Sequence, residues 1–465
     1  MSGLRDLLVR TAVEIADYRD GVADDRVFPD LDGAALRAAF GGPLPSDPTP
    51  PTEVITDLVA AARLGLVATT GPRYFGFVIG GALPAATAAD LLATGWDQPA
   101  YNALSSPAAA VAEEASGEWL KDVLGIPATA SFGFVTGAQG ANTVGLAAAR
   151  HHVLHAVGHD VERDGLVGAP RVRVVAGVER HATIDRSLRC LGFGSALVEP
   201  VGADENGAID VAALGEVLAS GSPGPTIVVL QSGNVNTGAC DDLAAAIAVA
   251  RGHGAWVHVD GAFGLWAAAS PATRHLVAGL ETADSWGCDG HKWLNVPYDS
   301  GYVFCAHPDA HAAAMAYTAS YLALPGADGI RGPGDFVPES SRRARGFATW
   351  AALRELGRDG IARLVERSCS LAARFAEQLD ATDGVEVVND VVLNQVLVRF
   401  GTGSGSERDA ATDRVIAEVQ RSGECWMGAT TWRGMRLMRI SVSNWSTTEA
   451  DVDRSVTAIR AAVGR

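Results

Sequence analysis

Apolar and polar positions alternate along this chain in more than one rhythm. Between residues 4 and 19, Leu4, Leu7, Leu8, Ala12 and Ile15 share one face of a helix. The stretch from Gly41 to Pro51 is rich in proline and ends that rhythm, and a second helix is expected from Thr52. From about 106 to 306, short and nearly continuous apolar runs alternate with helical stretches. The runs are Phe132–Thr136, Val172–Ala176, Ala196–Val198, Thr226–Leu230, Trp256–Val259, Ala283–Gly287 and Gly301–Cys305. Strands that are apolar throughout and joined by helices belong to a mainly parallel sheet covered on both faces.

Beyond about 345 the rhythm changes again. A long helix (Phe347–Leu379) leads to strand-like Val385–Val388 and Val391–Phe400, a helix at Ala410–Ser422, a strand at Met435–Val442 and a last helix capped around Thr448. Gly401 to Ser406 reads as a flexible surface loop. The pattern predicts an α/β fold in three parts: an N-terminal helical segment with an aromatic loop (1–105), a large α/β domain (106–344) and a small α+β C-terminal domain (345–465). The helical segment has little core of its own and is expected to pack on another surface.

Composition narrows the function. The 465 residues are 48% hydrophobic, enough for a large core. A net charge of −17 argues against nucleic acid or an anionic membrane as a partner. No uncharged apolar run is long enough to span a bilayer, and the N-terminus carries no signal peptide. Cys190, Cys240, Cys288, Cys305, Cys369 and Cys425 form no C-x-x-C pair, which suits a reduced cytoplasmic setting. His151, His155 and His159 share a helix face but lack an H-E-x-x-H frame, so they read as a solvated face and no metal is expected.

The chemistry collects at strand ends. Trp256 to Asp260 is an apolar strand ending in a carboxylate, and Ala283 to Lys292 runs from apolar residues into a histidine and a lysine. Alone, Lys292 would read as a surface charge and Asp260 as a turn residue. Together they are what pyridoxal phosphate chemistry needs: an amine to form a Schiff base with the aldehyde, and an acid to keep the ring nitrogen protonated. Phe134 to Asn142 is a strand meeting small residues and a helix N-terminus, suited to a phosphate but matching neither a P-loop nor G-x-G-x-x-G. His181 opens a helix, where an imidazole either caps or stacks on a flat ring. The polar run Gln231 to Gly238 is a turn or a cofactor contact.

These residues in this order resemble the group II pyridoxal phosphate-dependent amino-acid decarboxylases, fold-type I enzymes that include the aromatic amino-acid and glutamate decarboxylases. The resemblance rests on Asp260-Gly261-Ala262, Asp289-Gly290-His291-Lys292-Trp293, His181, the 136–142 turn, Ser106-Pro107-Ala108 before a Glu-rich helix, and Tyr74-Phe75, and it covers roughly residues 50–465. It implies that Lys292 carries the cofactor, Asp260 pairs with the pyridinium, and His181 and Ala262 lie on opposite ring faces. It further implies that Gly137, Ala138 and Gln139 hold the phosphate with His291 beside it, and that Asn234 and Asn236 touch the cofactor. It also implies a homodimer with shared active sites and a small-molecule substrate, an amino acid.

One departure matters. Family decarboxylases commonly carry a tyrosine in a mobile loop that returns a proton after CO2 leaves. Here residues 326–339 hold four glycines and Phe336 as the only aromatic, before the matching Ser341-Arg342-Arg343-Ala344-Arg345. Tyr317 and Tyr321 lie earlier. Decarboxylation to an amine is the leading expectation; Cα–Cβ cleavage of a β-hydroxy amino acid and oxygen-dependent decarboxylation to an aldehyde use the same lysine. Tyr74, Phe75, Phe77, Trp96 and Tyr101 tilt the substrate towards an aromatic side chain, although packing explains them equally well.

Overall fold

The computed structural model describes residues 3–30, 32–317 and 329–464. The chain gathers into two compact units, one of residues 80–372 with 389–395, the other of residues 1–79, 373–388 and 396–465. The division runs elsewhere than the three-part reading, because the N-terminal residues and the C-terminal sheet share one unit. Backbone bonds account for this: Phe75 N donates to Trp426 O, Trp426 N to Arg73 O and Ser441 N to Phe75 O. The buried Arg73 guanidinium adds bonds to the carbonyls of Ala23, Asp25 and Glu424.

The larger unit is built on seven strands: β1 (Ser131–Val135), β2 (Arg173–Gly177), β3 (Val198–Val201), β4 (Thr226–Gln231), β5 (Trp256–Asp260), β6 (Ser285–Asp289) and β7 (Gly301–Cys305). Their order is β1-β7-β6-β5-β4-β2-β3. β3, β2, β4, β5 and β6 are parallel, and β7 is antiparallel to both its neighbours. The mainly parallel sheet expected from the apolar runs is therefore present, and most runs mark their strands closely. The third differs: residues 195–197 form a helical turn and the strand follows it. The sixth begins two residues later than expected, because the Asp284 side chain turns back to accept from Val257 N at 2.7 Å. That shift makes Asp289 the last residue of β6.

Register aligns one edge of this sheet. Gly301 lies opposite both Val135 and Asp289, Gly287 opposite Asp260, and Asp260 opposite Gln231. The carboxyl ends of β1, β4, β5 and β6 therefore meet on one side, where ligands of such sheets bind. Behind that edge the core is held by buried polar pairs. Arg342 and Glu113 form an ion pair at 2.9 Å with both side chains inaccessible, and Arg342 also donates to the carbonyls of Ala100 and Phe134. This pair joins the arginine-rich segment after 340 to the Glu-rich helix Pro107–Leu124. His258 bridges Ser285 (2.8 Å) and Asn142 (3.0 Å), and His311 bridges Ser131 (2.9 Å) and the Phe336 carbonyl (2.9 Å).

The smaller unit carries β8 (Val385–Val387), β9 (Gln395–Phe400), β10 (Gly428–Trp432) and β11 (Met435–Ser441), in the order β10-β11-β9-β8. β10 has no counterpart in the sequence reading, since its leading Gly428 and Ala429 give a weak strand signal. Its hairpin is closed by Arg433 and Gly434, both with positive φ (48° and 77°), as a two-residue turn requires. The stretch 401–406 is more ordered than a flexible loop. Ser404 and Glu407 form a capping box that starts the helix Gly405–Ser422.

Two outcomes follow from the buried charges. Glu113→Ala leaves the Arg342 guanidinium buried and unpaired, and should cost about 3–5 kcal/mol in urea unfolding; an unchanged midpoint would contradict the pairing. Burial pulls the pKa of His258 and of His311 down to about 3, and pushes Asp241 up to about 6. Below pH 6.5 the unfolded chain binds protons that the two folded histidines refuse, which destabilises the fold; Asp241 acts in the opposite sense. With two groups against one, stability should fall by about 1.4 kcal/mol per pH unit on acidification between pH 6 and 4 from these groups. Urea unfolding across that range checks the slope; stability that rises on acidification would contradict it.

Candidate active site

The aligned edge gathers most of the residues that the sequence singles out. Asp260 ends β5, is buried, and accepts from Ala262 N at 3.2 Å. Burial raises its pKa, and the charges of His181 and Lys292 oppose that rise. His181 caps the helix Ala182–Cys190, its Nδ1 accepting from Thr183 N (3.3 Å) and paired with Thr183 Oγ1 (2.8 Å). It lines a narrow cavity with Glu179, Arg180, Gln231 and Asp260. The cap is therefore real, and His181 and Asp260 line the same cavity.

Lys292 follows β6 in a tight turn. Its Nζ lies 3.1 Å from Asp289 Oδ2. Asp289 Oδ1 accepts from Ala138 N at 2.5 Å and lies 3.4 Å from His291 Nε2. His291 Nδ1 accepts from Ser300 N at 3.2 Å, and burial lowers its pKa although Asp289 opposes this. With Nδ1 an acceptor, the neutral ring carries its proton on Nε2, facing Asp289. Asp289 had no role in the sequence reading; the D-x-x-K spacing around a strand end is the signal that could have found it.

The backbone is shaped for close approach. Gly137 precedes the helix Ala138–His155, and a Cβ there would lie 2.9 Å from His291 Cε1 and 3.1 Å from Asp289 Oδ1. A Cβ on Gly301 would overlap Gly137 itself. Gly80 passes against the lysine turn so closely that a Cβ would overlap the Lys292 carbonyl oxygen, and Leu83 N donates to Asn295 O at 2.9 Å to hold this crossing. Two glycines face to face thus form a cradle at the helix N-terminus, with an amine, a buried acid and an imidazole beside it. A buried acid whose pKa burial raises, lining a cavity beside His181, suits a cationic ring nitrogen, and the cradle with its helical N–H groups suits a phosphate. The residues fit pyridoxal phosphate.

Other candidates are committed elsewhere. The Gln139 amide donates to Ser187 Oγ at 2.8 Å, so its backbone N–H is the part that faces the turn. Asn234 donates to Glu179 O (3.1 Å) and accepts from Asn236 N (2.8 Å), which holds the turn containing both asparagines. Tyr74, Phe75 and Phe77 belong to the smaller unit. Tyr74 stacks on Trp426 at 4.9 Å and 7°, Phe75 is buried edge-on to Phe375, and Phe77 is 60% exposed with a positive φ of 53°. Trp96, in the larger unit, meets Phe347 edge-on at 5.4 Å. Cys288 is a buried core thiol whose pKa burial raises.

The glycine-rich loop is docked in its described part. Arg331 lies 4.1 Å over both the Phe132 and Phe336 rings and donates to Phe132 O, while Gly334 N donates to Tyr101 O at 2.9 Å. Phe336 packs edge-on to His311. Tyr317 Oη bonds Ser340 Oγ at 2.6 Å. Tyr321 and residues 326–328 lie outside the described residues.

A model of the pyridoxal-dependent decarboxylase conserved domain matches residues 35–401. Tryptophan decarboxylase 1 of Oryza sativa subsp. japonica is 26% identical over 467 aligned residues, covering 95% of this chain and 90% of that protein. Phenylacetaldehyde synthase of a Rosa hybrid cultivar is 23% identical, covering 94% and 89%. Among solved structures, Oryza sativa TDC with PLP and tryptamine superposes with a TM-score of 0.92 at 24% identity, covering 99% of this chain and 97% of that one.

The close crossing at Gly80 is testable. Gly80→Ala must push the lysine turn out of place, and a misplacement of that size costs about 10²-fold in turnover. Steady-state kinetics on the folded variant checks this; wild-type turnover would contradict the geometry.

Proposed function

We propose that this chain, which belongs to the pyridoxal-dependent decarboxylase family, converts an aromatic L-amino acid to its amine at the edge carrying Lys292, Asp260 and His181. Membership sets the cofactor and the reaction class: the chain is a pyridoxal phosphate-dependent amino-acid decarboxylase. The observation that carries the site assignment is the convergence of an amine, a buried acid and a capping imidazole on one aligned sheet edge.

Bound pyridoxal phosphate supplies an electron sink for the pair left on Cα when CO2 departs. In this reading Lys292 holds the cofactor, Asp260 keeps a proton on its ring nitrogen, and His181 and Ala262 flank the ring. Gly137, Ala138 and Gln139 take the phosphate through backbone N–H groups, with His291 alongside. Asn234 and Asn236 shape the neighbouring turn. Burial of Asp260 and His291 keeps water from competing for these bonds.

The aromatic assignment rests on the relatives, which include a tryptophan decarboxylase; Tyr74, Phe75, Phe77 and Trp96 are offered as substrate-pocket residues on residue type alone. Phe77 is the member that presents an exposed ring; the buried Phe75 positions the loop. We also assign a homodimer with shared sites. The helix Leu4–Gly21 buries none of its residues, leaving Leu4, Leu8, Val9 and Val13 exposed, and Leu92, Trp96 and Trp350 line an apolar groove. These faces suit a second copy. Six free cysteines suit a cytoplasmic, reducing setting.

A second reading, oxygen-dependent decarboxylation to an aldehyde, is favoured by two observations: a phenylacetaldehyde synthase is a relative, and the only aromatic of the glycine-rich loop, Phe336, has no hydroxyl. Oxygen uptake in step with turnover would select it.

Lys292→Ala should abolish turnover and the borohydride-reducible adduct while the fold is kept. Asp260→Ala should lower turnover at least 10²-fold with the adduct still forming. Normal rates in either variant would remove the corresponding role.

A further inference from the structure

Asp289 stands at the crossing of three groups. Its carboxylate accepts from Ala138 N, the first N–H of an 18-residue helix, pairs with Lys292 Nζ, and faces His291 Nε2. Its carbonyl accepts from Trp266 Nε1 at 3.0 Å and its amide donates to Ala262 O at 2.9 Å, so the backbone that carries it is fixed. The side chain is buried, and it lies where a Cβ on Gly137 would crowd it. A helix N-terminus favours an anion through its unpaired N–H groups and dipole. Here the chain itself supplies one, at the turn to which the proposed function assigns the cofactor phosphate.

We propose that Asp289 is a built-in anion that competes with the cofactor phosphate for the Ala138 N–H, and so sets how tightly the cofactor is held. This rests on the cofactor assignment above. Two anions at one donor repel each other in a dry site. The phosphate can settle fully only as the carboxylate gives up that bond, and the released carboxylate still faces His291 Nε2. The exchange weakens the grip on the phosphate end and leaves the ring end untouched, a split that a merely structural residue would not produce.

The experiment compares two probes, pyridoxal phosphate and pyridoxal, which lacks the phosphate, on wild type and on Asp289→Asn, with Asp289→Ser as a second variant should the amide fold poorly. Binding is read by quenching of tryptophan fluorescence, and the adduct by borohydride trapping and peptide mapping at Lys292. Asp289→Asn should tighten pyridoxal phosphate at least tenfold, change pyridoxal less than about twofold, and make inorganic phosphate a better competitor. Equal shifts for both probes would mean that Asp289 acts only by placing Lys292, and would overturn the proposal. Weaker binding of pyridoxal phosphate alone would mean that Asp289 helps hold the phosphate, and would overturn it too. Failure of wild type to trap any adduct at Lys292 is a separate outcome, which would remove the cofactor assignment and this inference with it.

Discussion

A carboxylate buried at the end of a strand has to find donors, and in this chain that requirement arises on two neighbouring strands. Asp260 on β5 takes the Ala262 N–H and the favourable charges of His181 and Lys292. Asp289 on β6 takes a helix N-terminus and the lysine amine directly. The two acids divide the edge: one lines a cavity beside His181, the other meets the helix turn and the lysine. In our proposal a dry acid whose pKa burial raises is where a cationic ring belongs, and that division of roles gives the site its polarity.

Register makes the division possible. Antiparallel β7 places Gly301 opposite both Val135 and Asp289, so the helix turn and the lysine turn close on one another through glycine. Farther back, the Glu113–Arg342 pair ties the arginine-rich segment to the helix before β1. Both side chains of that pair are inaccessible, so breaking it would leave a buried charge unpaired.

Much of this was legible in the sequence, for physical reasons. Lys292, Asp260 and His181 stood out because each follows an apolar run, and strand ends in parallel sheets converge whatever the details of packing. The glycine-alanine turn was legible because small residues before a helix mean close approach. Asp289 was hidden although it lies in the same motif, since its role depends on where β6 ends, two residues later than the apolar run suggested. His258 sits in a strand written as apolar, and only the fold brings Asn142 and Ser285 to it. The Gln231 to Gly238 run was legible as polar, but not that Asn234 would turn inward to hold its own loop. β10 and the capping box at Ser404 were missed because one opens on Gly428 and Ala429, which are weak strand formers, and the other was weighed as glycine and serine alone.

The central claim is that the Lys292 edge removes CO2 from an amino acid and returns a proton to the same carbon. The most direct measurement is mass spectrometry of the products formed by cofactor-loaded protein from L-tryptophan, L-tyrosine and β-hydroxy amino acids in heavy water. The account predicts an aromatic amine carrying one new deuterium on Cα. Glycine or another shortened amino acid together with an aldehyde, and no amine, would contradict it.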